Sequence, residues 1–397
     1  MDVTRRLLQL TIPRAFVVGA SGSTATRLAV ERELRRRGWG EAVTPANADI
    51  LVVCGSGGNR FSEVVDRLWD QIPSPRALVR VAMPDAVARQ LDESRTEMWG
   101  LAGLRADAAP RIDAGVRGMD PDGMDWSSTV QPHDNVDART TGHDMDNHDV
   151  AGMGEMDMSM EMPGGIPMAD RGRDRDGLKL DQLHVALGPA LSAWPSGLIV
   201  RLVVQGDVVQ AAEPEVVGDW ARSSFWFDAG ADDQQRVRAA AAADSLQRFL
   251  SVAGWESAAD TGRWLRDQLL ESAPGAAVHP RFVRWIRRVR RSRVLRWSMS
   301  GLGQVGSDAP GSLRGDVWAR CGRWVEEITS VIENPVANGQ SAGGAWGVQR
   351  AEHARAGLSM LPSVLAGQEV AAARLIVASF DPDLEALHAR SLGGSHG

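Results

Sequence analysis

Residues 178–213 read LKLDQLHVALGPALSAWPSGLIVRLVVQGDVVQAAE, and their pattern decides the fold. Two β-segments flank a corner marked by Gly188-Pro189 and Trp194-Pro195. Ile199, Val200, Leu202, Val203 and Val204 make a run that suits a strand covered on both faces, and Gly206-Asp207 turns it into Val208-Val209. The stretch divides an α/β-patterned front from an Arg- and Trp-rich helical back. It contains no catalytic group of its own.

On the N-terminal side, a strand over Ala15 to Val18 leads through the turn GASGSTAT into a helix, RLAVERELRRRGW. The unit then repeats: strand ADILVVCG (48–55), turn SGGNR, helix FSEVVDRLWDQI, strand RALVRVA (76–82) and helix VAMPDAVARQLDE. Strand, helix, strand at this spacing predicts a parallel, doubly wound sheet. Gly19, Gly22 and Ala25 imitate a GxxGxxG turn, whose amides hold a pyrophosphate in dinucleotide-binding proteins. Gly19, Gly22 and Ser23 are thus the candidate binding residues for NAD(P) or a flavin, with Glu41 the one early acid available to a ribose. The plainer reading is a tight turn with Ser21 or Ser23 capping the helix.

Composition bounds the function. The chain has 397 residues, 43% hydrophobic, with 51 acidic against 44 basic side chains and a formal net charge of −7. That balance argues against general nucleic-acid binding, which needs a broad basic surface. Two distant cysteines, Cys54 and Cys321, supply neither a disulfide framework nor a four-thiolate metal site, and a reducing cytoplasm fits them. Both read as small buried hydrophobes. No run of about 18 apolar residues predicts a membrane span. Fourteen tryptophans stand beside no tyrosine, which excludes phenolic acid/base chemistry.

Residues 109–177 lack periodicity and read as a disordered Met/Asp/His-rich linker. His143, Met145, His148, Met156, Met158 and Met160 interleave imidazole and thioether groups with carboxylates, the chemistry of a Cu(I) tract. A solvated acidic linker without metal is the competing reading. The alternating charges of ADRGRDRDG read as a solvated turn.

Behind residue 213 the pattern is helical, over 236–252, 260–270 and 281–296. Residues 281–296 hold eight arginines, with Phe282, Trp285, Ile286 and Val289 at helical spacing, an amphipathic helix with a basic face. Those arginines are expected to pair with the chain's own carboxylates or to dock a partner. Cys321 falls on the apolar stripe of a helix over GDVWARCGRWVEEITSVI, residues 334–347 read as a loop, and residues 362–390 close the domain.

Three segments carry a resemblance. ADILVVCGSGGNRFSEVVDRLWDQIPSPRALVRV resembles the small electron-transfer subunit shared by complex I (NADH:quinone oxidoreductase) and nickel-iron hydrogenases, most specifically in the exit Gln71-Ile72-Pro73-Ser74-Pro75. GPALSAWPSGLIVRLVVQGDVVQAAEPEVVG is similar to the N-terminal β-region of the large subunit of the same complexes. RLIVASFDPDLEALH resembles that subunit's C-terminal signature. The resemblance implies two fused subunit relics: a flavodoxin-like α/β domain (1–108), the linker, and a reduced large-subunit-like, mainly helical α+β domain (178–397), with its β-region at 178–213, helices at 234–333 and a closing segment at 362–390.

The family's ligands are missing. Its small-subunit cluster cysteines fall on GASGSTAT and VAMPDAV, which have none, and its quinone histidine falls in GPALSAWP, where no histidine stands. His184 reads as a strand residue. At the two nickel-thiolate positions stand Asp383 and Ala386, with His388 one place early; Asp383 reads as an exposed helix-start acid or a member of a proton path. Iron-sulfur and nickel centres are not expected.

The resemblance therefore implies a pseudoenzyme, a structural, assembly or regulatory component of a respiratory or hydrogenase-type complex. It would be cytoplasmic, or peripheral to the inner face of the membrane, with protein subunits as partners. It would bind no nucleic acid and touch the membrane only indirectly, through the basic helix 281–296. If the chain is catalytic, it is an oxidoreductase of the NADH:quinone type. NAD(P) or flavin binding on GASGSTAT and copper binding by the linker are the alternatives.

Overall fold

A computed structural model describes residues 11–98, 170–173, 179–218, 224–228, 234–271, 279–333 and 343–389. The candidate copper ligands His143, Met145, His148, Met156, Met158 and Met160 lie outside the described residues.

The front is an open parallel sheet. Strands β1 (Arg14–Gly19), β2 (Gly40–Glu41), β3 (Ile50–Cys54) and β4 (Ala77–Val81) stand in the order β2-β1-β3-β4. Helices α1 (Thr24–Arg37), α2 (Gly58–Gln71) and α3 (Val87–Met98) cover its faces. All five residues of β3 are buried, as a central parallel strand between two helical layers requires. Apolar clusters fill both faces, one around Leu34, Val52 and Leu91, the other around Phe16, Phe61 and Ile72. The last helix begins at Val87, later than the sequence pattern suggests, because Pro84–Ala86 forms a separate 3-10 turn.

The second sheet is antiparallel, β5 (Asp170–Arg173), β6 (Lys179–Leu187), β7 (Leu198–Gln205) and β8 (Val208–Val216) in sequential order. β7 is buried along its length except near Arg201 and Val203, as its apolar run predicts. β5 corrects the reading of ADRGRDRDG as a turn: Asp170–Arg173 pairs antiparallel with β6. Charged residues are typical of an open sheet edge, so their alternation concealed a strand. The Gly206-Asp207 turn is tied to the far end of the chain, since Val209 N–H donates to Gln368 O (2.8 Å) and Val370 N–H to Asp207 O (2.9 Å).

The helical body follows: α4 (Phe225–Asp228), α5 (Gln234–Val252), α6 (Glu256–Glu271), α7 (His279–Arg290), α8 (Arg293–Met299), α9 (Val317–Glu333), α10 (Gly343–Leu365), α11 (Val370–Phe380) and α12 (Leu384–Ala389). α5 is enclosed on nearly all sides, and its alanines 239–243 are buried. One apolar cluster joins β7 and β8 to α5, α6, α9 and α11, so the β-region and the helices share a single core.

Two sequence expectations change. The basic helix over 281–296 is two helices, because Ser292 leaves the helical conformation and its Oγ accepts the Leu295 amide (3.3 Å) as the cap of α8. The loop expected at 334–347 ends earlier, with α10 starting at Gly343. No helix among the described residues is long and apolar enough to cross a membrane.

Candidate functional site

In an open parallel sheet, ligands bind beyond the carboxyl ends of the strands where the connections diverge. Here that point lies between β1 and β3, at Gly19 and Cys54, the place of the GASGSTAT turn. The β-region packs directly on it. A Cβ at Gly19 would stand 2.7 Å from Ser196 Oγ, and Cβ atoms at Gly197 and Gly218 would come within 3.1 and 3.2 Å of the Ser21 Cβ. Both glycines have positive φ, so the loop Trp194–Gly197 approaches the turn along a path that side chains would block. The loop is set by Gly188, where a Cβ would meet Leu198 O at 2.1 Å, and by Trp194, whose Nε1–H donates to Leu198 O (2.8 Å).

The N-terminus of α1 is also occupied. Glu385 Oε1 accepts the Thr24 amide (2.9 Å), and its Oε2 accepts the Phe225 amide (3.0 Å). A carboxylate of the chain itself therefore stands where a phosphate would sit on a dinucleotide turn. Burial pushes the Glu385 carboxyl up, against the two amides that favour its charged form. Ser23 is at the cap position, as expected, but its hydroxyl donates to Ala20 O (2.6 Å) and makes no cap bond. Gly22 and Thr24 line one crevice of about 40 Å³, while Gly19 lines another of the same size. Each has room for a few waters at most and falls far below the roughly 300–1,000 Å³ of a small-molecule site.

Beneath the turn, the two halves are joined by a buried ionic network. Arg27 of α1 bridges Glu31 (2.7 Å) and Asp244 of α5 (2.7 Å). Arg266 of α6, wholly buried, reaches Glu31 (2.6 Å), Asp244 (2.7 Å) and Asp267 (2.7 Å). Arg35 pairs with Asp267, and Arg248 links Asp244 (3.3 Å) to Asp381 (2.5 Å). Burial alone would raise the Glu31 carboxyl, but Arg27 and Arg266 outweigh it and hold it at about 2. Burial also opposes the Asp244 charge, and Arg27, Arg248 and Arg266 together hold that group well below the usual carboxylate range. Each charge is expensive to bury alone, so the set stands or falls together.

The residues singled out from the sequence are therefore divided. Gly19 and Ser23 are buried at the junction, whereas Gly22 beside them is exposed. Glu41 is spent on Arg263 (3.7 Å). His184 is exposed on β6, opposite Val203. Cys54 and Cys321 are buried free thiols. Burial pushes Cys54 up to about 12 and Cys321 higher still. The expectation that Asp383 is exposed is corrected: its side chain is 7% exposed, bonded to Arg350 Nε (2.8 Å), and it accepts the Ala386 amide (3.0 Å) as the cap of α12. A local pattern could not reveal Glu385, Asp244, Arg266 and Asp381 as one junction, because the partners that join the two halves lie tens to hundreds of residues away. Among the described residues no group of three or more His, Cys, Asp or Glu side chains is arranged to hold a metal.

Arg281, Arg284, Arg287, Arg288, Arg290, Arg291, Arg293 and Arg296 are all exposed. Among the described residues none forms an ion pair, which corrects the expectation of self-pairing. Arg281 lies over Trp264 and Arg288 over Trp255, and on α8 Val294 and Trp297 project 76% and 83% exposed. The face is basic and aromatic at once. No protein-family model matches the chain, and no curated protein matches it.

Proposed function

We propose that the chain is a redox-centre-less relative of the small and large subunits of complex I and nickel-iron hydrogenases. In this reading a flavodoxin-like domain and a reduced large-subunit-like domain are fused, and the product serves as a structural or assembly component of a respiratory or hydrogenase-type complex. The observation that carries it is the occupation of the junction by Ser196, Glu385 and the Arg27–Asp244–Arg266 network, where a cofactor would need space. A position built for chemistry is instead used for cohesion. The arginines of α7 and α8 support a partner role, since eight exposed cations without an ion pair among the described residues, with Trp297 exposed on α8, suit an acidic protein surface.

The test is purification from the native cell under anaerobic conditions, with iron and nickel analysis and an EPR spectrum. The chain is expected to hold neither metal in stoichiometric amount and to co-purify with subunits that do. Stoichiometric iron with a cluster signal in the isolated chain overturns the proposal, as does tight NAD(P) or flavin binding lost in Gly22→Asp.

A further inference from the structure

Away from the junction, a cavity of about 250 Å³ opens between α5, α9, α10 and the end of α11. Its arginines are Arg238, Arg320, Arg323 and Arg350, its carboxylates Glu327, Asp381 and Asp383, and Trp324 and Trp346 contribute apolar wall. The carboxylates are already matched: Glu327 by Arg238 (2.8 Å), Asp383 by Arg350 (2.8 Å), and Asp381 by Arg248 from behind (2.5 Å). Arg320 and Arg323 remain, without an ion pair among the described residues.

Arg320 is 2% exposed. Its Nε donates to Ser379 Oγ (2.9 Å), its Nη1 to Leu313 O (3.2 Å) and Gly315 O (2.7 Å), and the guanidinium lies over the Phe380 ring (4.7 Å). Nη2 is buried and has no acceptor. Arg323 donates through Nη2 to Arg314 O, and its Nη1 is likewise buried without an acceptor. Arg320, buried, and Arg323, half-exposed, both line the cavity without a counter-charge, and a buried guanidinium is costly unless something supplies the missing anion. His353 does not supply it: Nε2 donates to Phe380 O (2.5 Å), which fixes Nδ1 as the acceptor of the Ser312 hydroxyl (2.8 Å), and burial keeps the ring neutral.

We infer that this cavity is a binding site for a small organic anion, whose carboxylate or phosphate sits on Arg320 and Arg323 and whose compact apolar body lies against Trp324. The volume is just under that of a drug-sized site, so the ligand is small. Planar guanidinium forks match both anion types, and the flanking tryptophan favours an aromatic or branched body over a bare inorganic ion. The inference does not depend on the proposed function, because it concerns the far side of Asp381 and Asp383 from the junction.

Benzoate, phenyl phosphate and inorganic phosphate, titrated into the full-length protein with calorimetry and tryptophan fluorescence, test it. One of the two aromatic anions is expected to bind saturably, and whichever binds assigns carboxylate or phosphate. Arg323→Gln, at a half-exposed position, is expected to keep the fold and weaken binding at least tenfold; Arg320→Met is expected to abolish it. Absence of saturable binding by both aromatic anions at millimolar concentration overturns the inference, and so does binding unchanged in Arg323→Gln. Inorganic phosphate binding as tightly as phenyl phosphate overturns its apolar half.

Discussion

Glu385 accepts the Thr24 amide at 2.9 Å across 361 residues of sequence and thereby closes the N-terminus of α1 with a residue from the last described helix. Its second oxygen holds the Phe225 amide. Glu385→Ala would strand both amides and is expected to cost about 2–4 kcal/mol, read by urea unfolding. Glu385→Gln behaves differently. Because burial raises the folded carboxyl above its unfolded value, the stabilisation belongs to the neutral form, is complete below the unfolded value and is lost as pH rises through the folded one. The glutamine has no charge to titrate but keeps only one acceptor, its NH2 facing the other amide, so it is expected to fall between the wild type and the alanine variant and to lack the pH dependence of Glu385. A glutamine variant as unstable at pH 7 as the alanine variant would contradict this account.

The ionic network makes an opposite pH prediction. Glu31 is held at about 2, below its ordinary value, so its contribution is present above the unfolded value near 4.5 and disappears as pH falls through the folded one. Acid unfolding, followed by tryptophan fluorescence, is therefore expected in the window from about 4.5 down to about 2. Arg266→Met leaves Glu31, Asp244 and Asp267 with one cation fewer and is expected to cost about 3–5 kcal/mol at neutral pH and to move the acid transition upward. An unshifted transition would show that the network does not join the two halves.

These two relationships also mark what local sequence could reveal. The strands around Val52 and Val200 were legible because β-branched runs encode burial directly, and Phe282, Trp285, Ile286 and Val289 because they recur at helical spacing. Asp170–Arg173 was not, since an edge strand is defined by a neighbour's backbone rather than by apolar side chains. The break between α7 and α8 turns on the Ser292 cap alone. The GASGSTAT turn was found, yet what packs on Gly19 comes from Ser196 and what takes the Thr24 amide from Glu385, and no period connects those positions. That GASGSTAT holds no cysteine and GPALSAWP no histidine was visible; the charges gathered at the junction were not.

The buried thiols give a simple chemical check. Burial raises Cys54 from its ordinary 9 to about 12, and Cys321 is raised further, so neither forms a thiolate near neutrality. Native protein is expected to be inert toward a disulfide reagent at pH 8, and unfolded protein to titrate two thiols. With both folded values raised, the stabilisation from the neutral thiols is present below about 9 and declines as pH rises toward 12. Fast reaction of either thiol in the native state would point to an open site and a thiolate that the present packing excludes.

The face of α7 and α8 separates folding from partnership. Arg287, Arg291, Arg293 and Arg296 are exposed and carry no ion pair among the described residues, so reversing them costs the fold little, within about 0.5 kcal/mol each. Phe282, Trp285, Ile286 and Val289 face inward and are left untouched. The variant Arg287→Glu with Arg291→Glu and Arg296→Glu is therefore expected to melt like the wild type. If the face docks an acidic protein, the same variant loses its stoichiometric partner when purified from native cells, and the wild-type association weakens steeply with added salt. Trp297→Ala, which removes an 83% exposed ring without changing charge, is expected to weaken the association while leaving its salt dependence intact. Retention of the partner by both variants would place the docking surface elsewhere, and binding of the wild type to anionic vesicles but not to protein would assign the face to lipid instead.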